Sequence, residues 1–301
     1  MKLVETVPNF SEGRRKDVIE EVINALSSVK GVHLLDYTSD PDHNRSVVTL
    51  IGEPKNIMEA LFRGTQKTTE LIDLTRQQGA HPRIGAMDVI PFIPYKGITM
   101  NECIELSKSL GKRIAEELKI PVYLYAYSAT TPARKRLPDV RKGEFEGLME
   151  EIKLSERHPD FGEPVIHPTA GATAVGARKF LIAYNINLNT REVKIAEKIA
   201  RAVRETSGGL VNVQAKGLWL KDQEIVQVTM NLMDFEVTPI YRVYELVKME
   251  AQRYGVEILE SEIIGLPPIK SLLQSLSYYL KIHGKGYDFS LEERLTEKLL
   301  E

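Results

Sequence analysis

Phe180-Leu181-Ile182-Ala183-Tyr184-Asn185-Ile186-Asn187-Leu188 is the stretch on which the fold reading turns. It reads as a strand, and it starts for a second time an order of elements that the chain has already run through once. After it, Val193, Ile199 and Val203 mark a helix that stops at Gly208-Gly209. Val211–Leu220 and Ile225–Leu232 form a hairpin around Lys221-Asp222-Gln223-Glu224. Pro239 opens a helix to Tyr254, Glu257–Ile264 is a strand, and Pro267-Pro268 precede a final amphipathic helix.

The first half carries the same order. Lys2–Val7 is a short alternating strand that Pro8-Asn9 stops. Val18, Val22, Ile23 and Leu26 fall at helical spacing and end at Gly31. His33–Tyr37 and Ser46–Ile51 are strands joined by the polar loop Thr38–Arg45. Pro54 starts a helix whose face carries Ile57, Leu61, Thr65, Thr68, Leu71 and Ile72, and Val89–Ile93 is a strand. A helix at Asn101–Leu118 and a strand at Val122–Tyr127 follow. Strand-helix-strand-strand-helix-strand, found twice, is the split βαβ order of ferredoxin-like folds. The expected architecture is therefore α+β: two tandem ferredoxin-like (βαββαβ) subdomains, residues 1–178 and 179–301, burying a shared groove between them.

Residues 128–170 interrupt this rhythm. Arg134-Lys135-Arg136 gives way to Glu144, Glu146, Glu150 and Glu151, and Pro132, Pro138, Pro159, Pro164 and Pro168 punctuate the stretch. A connection this long without periodicity is either functional or a linker.

Composition narrows the function classes. The 301 residues suit one large domain or two ordinary ones, and 43% hydrophobic with 27% charged residues supplies a packable core. Lys+Arg 40 against Asp+Glu 42 gives a net charge of −2, without the basic excess of a nucleic-acid coat. The full Lys/Arg-Gly-aromatic-Gly/Ala-aromatic pattern of an RNA-binding sheet is also missing. A single cysteine, Cys103, excludes an internal disulfide and a cysteine-built zinc site. Its helical neighbours Ile104, Leu106, Leu110 and Ile114 make it a buried structural thiol. No apolar run reaches the roughly 18–20 residues of a membrane span. Glu5 falls where a signal peptide would be apolar, so a soluble cytoplasmic protein without membrane contact is expected.

Among the histidines, His33 reads as a satisfied, half-buried strand residue, and His158 and His283 as solvent-facing. His43 lies in Asp40-Pro41-Asp42-His43-Asn44-Arg45, where a turn built by Pro and Asx residues is favoured over a metal cluster, so no metal is expected. His81 differs. It sits in Gly79-Ala80-His81-Pro82-Arg83-Ile84-Gly85-Ala86-Met87-Asp88, where glycines let the chain turn and Pro82 restricts the histidine to an extended pose. The two readings are a surface-loop histidine and an imidazole held at the sheet edge for proton transfer near neutral pH. Gly171-Ala172-Thr173-Ala174-Val175-Gly176-Ala177-Arg178-Lys179 is not a phosphate loop, since it lacks Lys-Ser/Thr after its second glycine and precedes a strand. It is either a site where a flat ligand lies close to the backbone or a close-packed crossing between the halves. Trp219 reads as core or as a contact between subdomains.

On these residues the chain resembles glutamate formiminotransferase, the folate enzyme that in animals forms the front part of formiminotransferase-cyclodeaminase. The resemblance is carried by Val4-Glu5-Thr6-Val7-Pro8-Asn9-Phe10-Ser11-Glu12-Gly13, Leu34-Leu35-Asp36, Asn44-Arg45, the His81 loop with Asp88-Val89-Ile90-Pro91-Phe92-Ile93-Pro94, and Pro121-Val122-Tyr123-Leu124-Tyr125. It continues through Asp160-Phe161-Gly162, the Gly171–Leu188 stretch and Asn231-Leu232-Met233-Asp234-Phe235-Glu236-Val237-Thr238, in one order over nearly the whole chain. The resemblance implies transfer of a formimino group from N-formimino-L-glutamate to N5 of tetrahydrofolate, which is a substrate, with release of glutamate and no metal. It places the catalytic histidine on His81 and the folate-binding segment on Gly162-Glu163-Pro164-Val165-Ile166-His167-Pro168-Thr169-Ala170-Gly171. A homodimer through the first subdomain is also implied. Thr38 stands where the family carries an acid, and His167 and Ala170 stand where the animal enzyme is apolar and aromatic. Arg45 and Arg83 are the expected clamps for a glutamate carboxylate, because a planar guanidinium matches that group. Arg178 and Lys179 either attract the anionic folate tail or form a solvated charge pair. A formyl donor (glutamate N-formyltransferase or 5-formyltetrahydrofolate chemistry) and a non-catalytic folate-binding protein are the alternatives.

Overall fold

A computed structural model describes residues 1–221, 223–283, 290 and 298. It divides into two compact units, Met1–Arg178 and Lys179–Glu301. Both mix helices with sheet.

In the first unit, β1 (Leu3–Thr6) and β2 (Asn9–Phe10) form one interrupted strand. Pro8 has no amide hydrogen for a ladder, and the chain breaks there. Both pieces pair antiparallel with β4 (Arg45–Gly52) on one side and β5 (Met87–Lys96) on the other. The edge strand β3 (Val32–Asp40) pairs with β4. Between these strands run α1 (Lys16–Ser27) and α2 (Pro54–Leu71), giving strand order fourth-first-third-second for the βαββαβ core. Two more strands extend this sheet in parallel beyond β5: β7 (Thr173–Ala177) next to it, then β6 (Val122–Ala126), reached through α3 (Met100–Leu118).

Amphipathic spacing explains why the helices lie where they do. Val18, Val22, Ile23 and Leu26 of α1 and Ile57 and Leu61 of α2 are among the buried positions of their helices. They join Phe10, Leu50, Ile90 and Phe92 of the strands in the main core. Each such large apolar side chain contributes about 1.5–3 kcal/mol by leaving water. Thr99 begins α3 with a capping box, its hydroxyl accepting from the Glu102 amide while the Glu102 carboxylate takes the Thr99 amide.

Thr173–Ala177 is a fully buried strand inside the sheet. A short run of small residues lacks the bulk by which strands are recognised, and here the neighbours demand that smallness. A Cβ on Gly176 would overlap the Tyr125 carbonyl, and one on Gly171 the Ile84 carbonyl. The irregular stretch 128–170 carries α4 (Leu137–Val140) and α5 (Glu144–Glu151). Val140, Leu148 and Ile152 from it close a separate core over Tyr123, Tyr125, Val89 and Ala174.

The second unit is a four-stranded antiparallel sheet. β8 (Ile182–Leu188), α6 (Val193–Val203), β9 (Val213–Leu220), β10 (Ile225–Leu232), α7 (Ile240–Arg253) and β11 (Ile258–Ile264) repeat the βαββαβ order, again arranged fourth-first-third-second. Ile199, Val203, Val243 and Val247 pack on Ile186, Val226 and Val228 to make its core. Across the strands Asn185 and Asn187 donate to Glu262 and Glu260, and accept from Thr229 and Gln227, a polar ladder on the sheet. A further helix, α8 (Ile269–Leu280), follows β11.

Two expectations are corrected. His33 is exposed, because β3 is an edge strand. Trp219 is 41% exposed on β9, not core. His158 and His283 are exposed and Cys103 is buried. Among the described residues no helix is long and apolar enough to cross a membrane.

Candidate active site

Three segments of the first unit meet where β2, the β3–β4 turn and the loop before β5 come together. Asn44 is their joint. It has a left-handed backbone (φ 50) and is buried; its Oδ1 accepts from the Gly13 amide at 2.9 Å and its Nδ2 donates to the Gln78 carbonyl at 2.9 Å. Gln77 Nε2 returns to the Asn44 carbonyl at 2.9 Å, and the Ala80 amide donates to the Asp42 carbonyl at 3.1 Å. Asparagine tolerates a positive φ better than most side chains. Gly79 and Gly13 let the strands of this knot touch: a Cβ on either would overlap a backbone oxygen, that of His43 or Asp40. Ser11 Oγ and Ser46 Oγ complete it, donating to the Gly85 and Glu12 carbonyls at 2.7 and 2.6 Å.

This knot presents His81 to Arg45. The Arg45 Nη1 lies 3.5 Å from the ring Nδ1 and 3.4 Å from Nε2, so the guanidinium faces the imidazole without making one short hydrogen bond. His43 stands edge-on, ring centroids 6.3 Å apart. Burial, then Arg45, Arg141 and His43, pull the His81 pKa down to about 2, with Asp40 opposing. The site therefore favours the neutral ring, which keeps a lone pair. Burial also lowers the Arg45 pKa, followed by the charge of Arg141.

Asp88 ties this charge to the sheet. Its side chain is buried; Oδ1 accepts from the Ile84 amide at 2.8 Å, and Oδ2 pairs with Arg141 Nη2. Sequence reasoning missed Arg141, which reaches the site from the irregular segment just after α4. The long connection itself was the only sign of it. The Nε atoms of Arg45 and Arg141 are both buried without a hydrogen-bond partner among the described residues. Arg45 also makes no ion pair among them.

The Arg83 guanidinium, expected to meet a substrate carboxylate, is bonded to groups of this chain. It is buried, with Nε on Gln77 Oε1 at 2.7 Å, Nη2 on Glu146 Oε1 at 2.8 Å and Nη1 on Glu146 Oε2 at 2.9 Å. Two residues from His81, it is a strut that fastens the loop to α5, and its fork is already filled by a carboxylate. Lys179 pairs with Asp234 at 2.6 Å within the second unit. Arg178 lies at the end of β7, donating its amide to Phe92 at 3.0 Å, and its charge acts on Glu5 and Tyr125.

Segment Gly162–Gly171 returns to the His81 loop. The Ala86 amide donates to the Ala170 carbonyl at 2.8 Å, the Ala172 amide to Ile84 at 2.8 Å, and Gly85 bridges Gly171. His167 shapes the turn, its Nδ1 accepting from the Ala170 amide at 3.0 Å, and burial lowers its pKa. Val165 is exposed and Glu163 faces solvent. Asp40 spends its carboxylate on His43 Nδ1 at 2.6 Å and on the amides of Asp42 and His43 at 2.9 Å. Among the described residues, no group of three or more His, Cys, Asp or Glu is placed to hold a metal ion. A cavity of about 770 Å³ lies elsewhere, between Lys2, Pro54 and Leu106, and contains none of these residues.

Residues 3–178 match the family model described as formiminotransferase domain, N-terminal subdomain, and residues 183–298 the one described as formiminotransferase domain. A glutamate formimidoyltransferase of Streptococcus pyogenes serotype M1 is 48% identical over 299 residues, covering 99% of this chain and 99% of that protein. One of Thermoplasma acidophilum is also 48% identical over 299 residues, covering 99% and 98%. The formimidoyltransferase-cyclodeaminase of Mus musculus is 44% identical over 306 residues, spanning 99% of this chain and 56% of its own length.

Proposed function

The chain belongs to the formiminotransferase family, and we propose that it is a glutamate formimidoyltransferase that uses His81 to carry a proton between its two substrates. The reaction moves the formimino carbon from N-formimino-L-glutamate to N5 of tetrahydrofolate and releases glutamate. N5 must lose a proton as it attacks, and the departing glutamate nitrogen must gain one. A neutral imidazole takes the first proton, and the imidazolium so formed gives it to the second nitrogen.

The observation that carries this reading is the placement of a neutral His81 at the junction of three tightly hydrogen-bonded segments, beside a guanidinium without an ion-pair partner among the described residues. Arg45 supplies the fork for a donor carboxylate. Gly162–Gly171 is read as the folate segment, because its last residues are hydrogen-bonded to the loop that carries His81. Met1–Arg178 would then hold the catalytic histidine and the folate segment, with Lys179–Glu301 as the C-terminal subdomain. The repeated strand order supports reading both as ferredoxin-like. A cytoplasmic homodimer fits the exposed Leu34, Leu35 and Tyr37 on the edge strand β3.

Steady-state assays with N-formimino-L-glutamate and N-formyl-L-glutamate side by side test the donor, and His81→Ala tests the histidine. Loss of one positioned acid–base group costs about 10²–10⁴-fold in turnover. Turnover of the formyl compound alone would overturn the formimino donor, and unchanged turnover in His81→Ala would overturn the role of the ring.

A further inference from the structure

The two guanidiniums nearest His81 are incompletely paired among the described residues. Arg45 reaches the ring from β4 and Arg141 from the segment after α4, while His43 and Asp40 flank it from the β3–β4 turn and Asp88 from β5. Among the described residues only one carboxylate, that of Asp88, touches either guanidinium, and Asp40 is spent on His43 and the turn amides. Both arginines bury an Nε without a partner among the described residues. Burying an unpaired guanidinium is expensive, and such a group is explained when a ligand supplies the missing anion.

We propose that Arg141 and Arg45 together take a carboxylate of the amino-acid donor, and that its arrival is what turns His81 into a competent proton acceptor. This rests on the transferase reading above and deepens it. Without the anion, the two guanidiniums add to burial in opposing protonation of the ring and make it a poor acceptor for the N5 proton. A carboxylate seated between them cancels one of the charges that oppose protonation and so makes His81 a better proton acceptor, the usual effect of an opposite charge within a few ångströms. The donor so switches on the base, and folate bound alone does not. In the step itself the N5–carbon bond forms as the N5 proton passes to His81. The carbon–nitrogen bond to glutamate then breaks, its electron pair stays on the glutamate nitrogen, and the imidazolium returns the proton there. No oxidant or further reactant is needed. Arg141 is a substrate-binding residue in this account, with Asp88 as the group that positions it.

The test is a ¹⁵N NMR titration of the histidine rings of the whole protein, in sodium L-glutamate and in sodium chloride of equal ionic strength. His81 is identified by the signal missing from His81→Asn. The expected result is a ring that stays neutral in chloride through mildly acidic pH and titrates at least about one unit higher in saturating glutamate. Arg141→Gln should lose most of that shift and raise the KM for N-formimino-L-glutamate about 10–100-fold, with Arg141→Lys in between. Circular dichroism reports whether either variant is folded, and the wild-type titration needs no variant. A wild-type ring unmoved by glutamate overturns the proposal; so does an unchanged KM in folded Arg141→Gln. Turnover measured on the same wild-type sample separates the two readings. Turnover with an unmoved ring defeats this inference alone. A ring that moves without turnover on any one-carbon donor defeats the transferase reading alone.

Discussion

Replacing His81 with Gln should make the protein less sensitive to acid. In the folded chain the ring titrates at about 2, first because it is buried and then because of Arg45 and Arg141, whereas the ordinary histidine value is 6.5. Between those values the unfolded chain holds a proton that the folded chain does not. Stability that is complete above the ordinary value is therefore lost as the pH falls, at about 1.4 kcal/mol per pH unit. At pH 5 the full loss would be about 2 kcal/mol, and screening of the partly exposed ring brings the expectation to about 1 kcal/mol. Gln has no such titration, while the other ionisable groups remain and cancel in a comparison. Urea unfolding of both proteins at about pH 7.5 and about pH 5 gives the difference directly, with the variant gaining about 1 kcal/mol on the wild type as the pH drops. Equal pH dependence would show that the folded ring protonates freely, and the electrostatic picture of the site would be wrong.

Other consequences follow from single groups. Glu5 is 8% exposed, and burial, eased by Arg178, pushes its carboxyl up to about 7. The folded chain then holds the extra proton, so Glu5 removes stability as the pH rises from its ordinary 4.5 through 7; Glu5→Gln should flatten that decline by about 1–3 kcal/mol in urea midpoints at pH 5 and 8. Gly79→Ala forces a methyl onto the His43 carbonyl and should cost about 1–3 kcal/mol in thermal unfolding, with a fall in turnover larger than that in folate affinity because the His81 loop moves. Cys103 is buried with its thiol raised to about 12 by burial, then by Glu102, so a disulfide reagent at pH 8 should label it only at the rate of unfolding.

How far the sequence could be read depended on the kind of signal. The helices were legible because Val18, Val22 and Leu26, or Ile57, Leu61 and Thr65, repeat at the period of a turn. Strand β7 was not, because Thr-Ala-Val-Gly-Ala is small and buried on both faces, which gives neither alternation nor bulk. The His81 loop stood out through its glycines and proline, and its neighbour Arg45 came from a turn whose composition already looked special. Arg83 and Arg141 show the limit. Both are arginines within the loop or beyond it, yet Glu144 and Glu146, some sixty residues downstream of Arg83, occupy the first. A pairing with Asp88 brings the second, from 53 residues further on, to the site. Contacts of that separation leave no local pattern to read.

The central claim is that His81 exchanges a proton with N5 of a reduced folate. A crystal structure of the protein with bound tetrahydrofolate tests it most directly. The account predicts a pterin whose N5 lies within about 2.6–3.2 Å of a ring nitrogen of His81, or one water away. A pterin seated with its N5 turned from that ring, or bound beyond the reach of a bridging water, would contradict it.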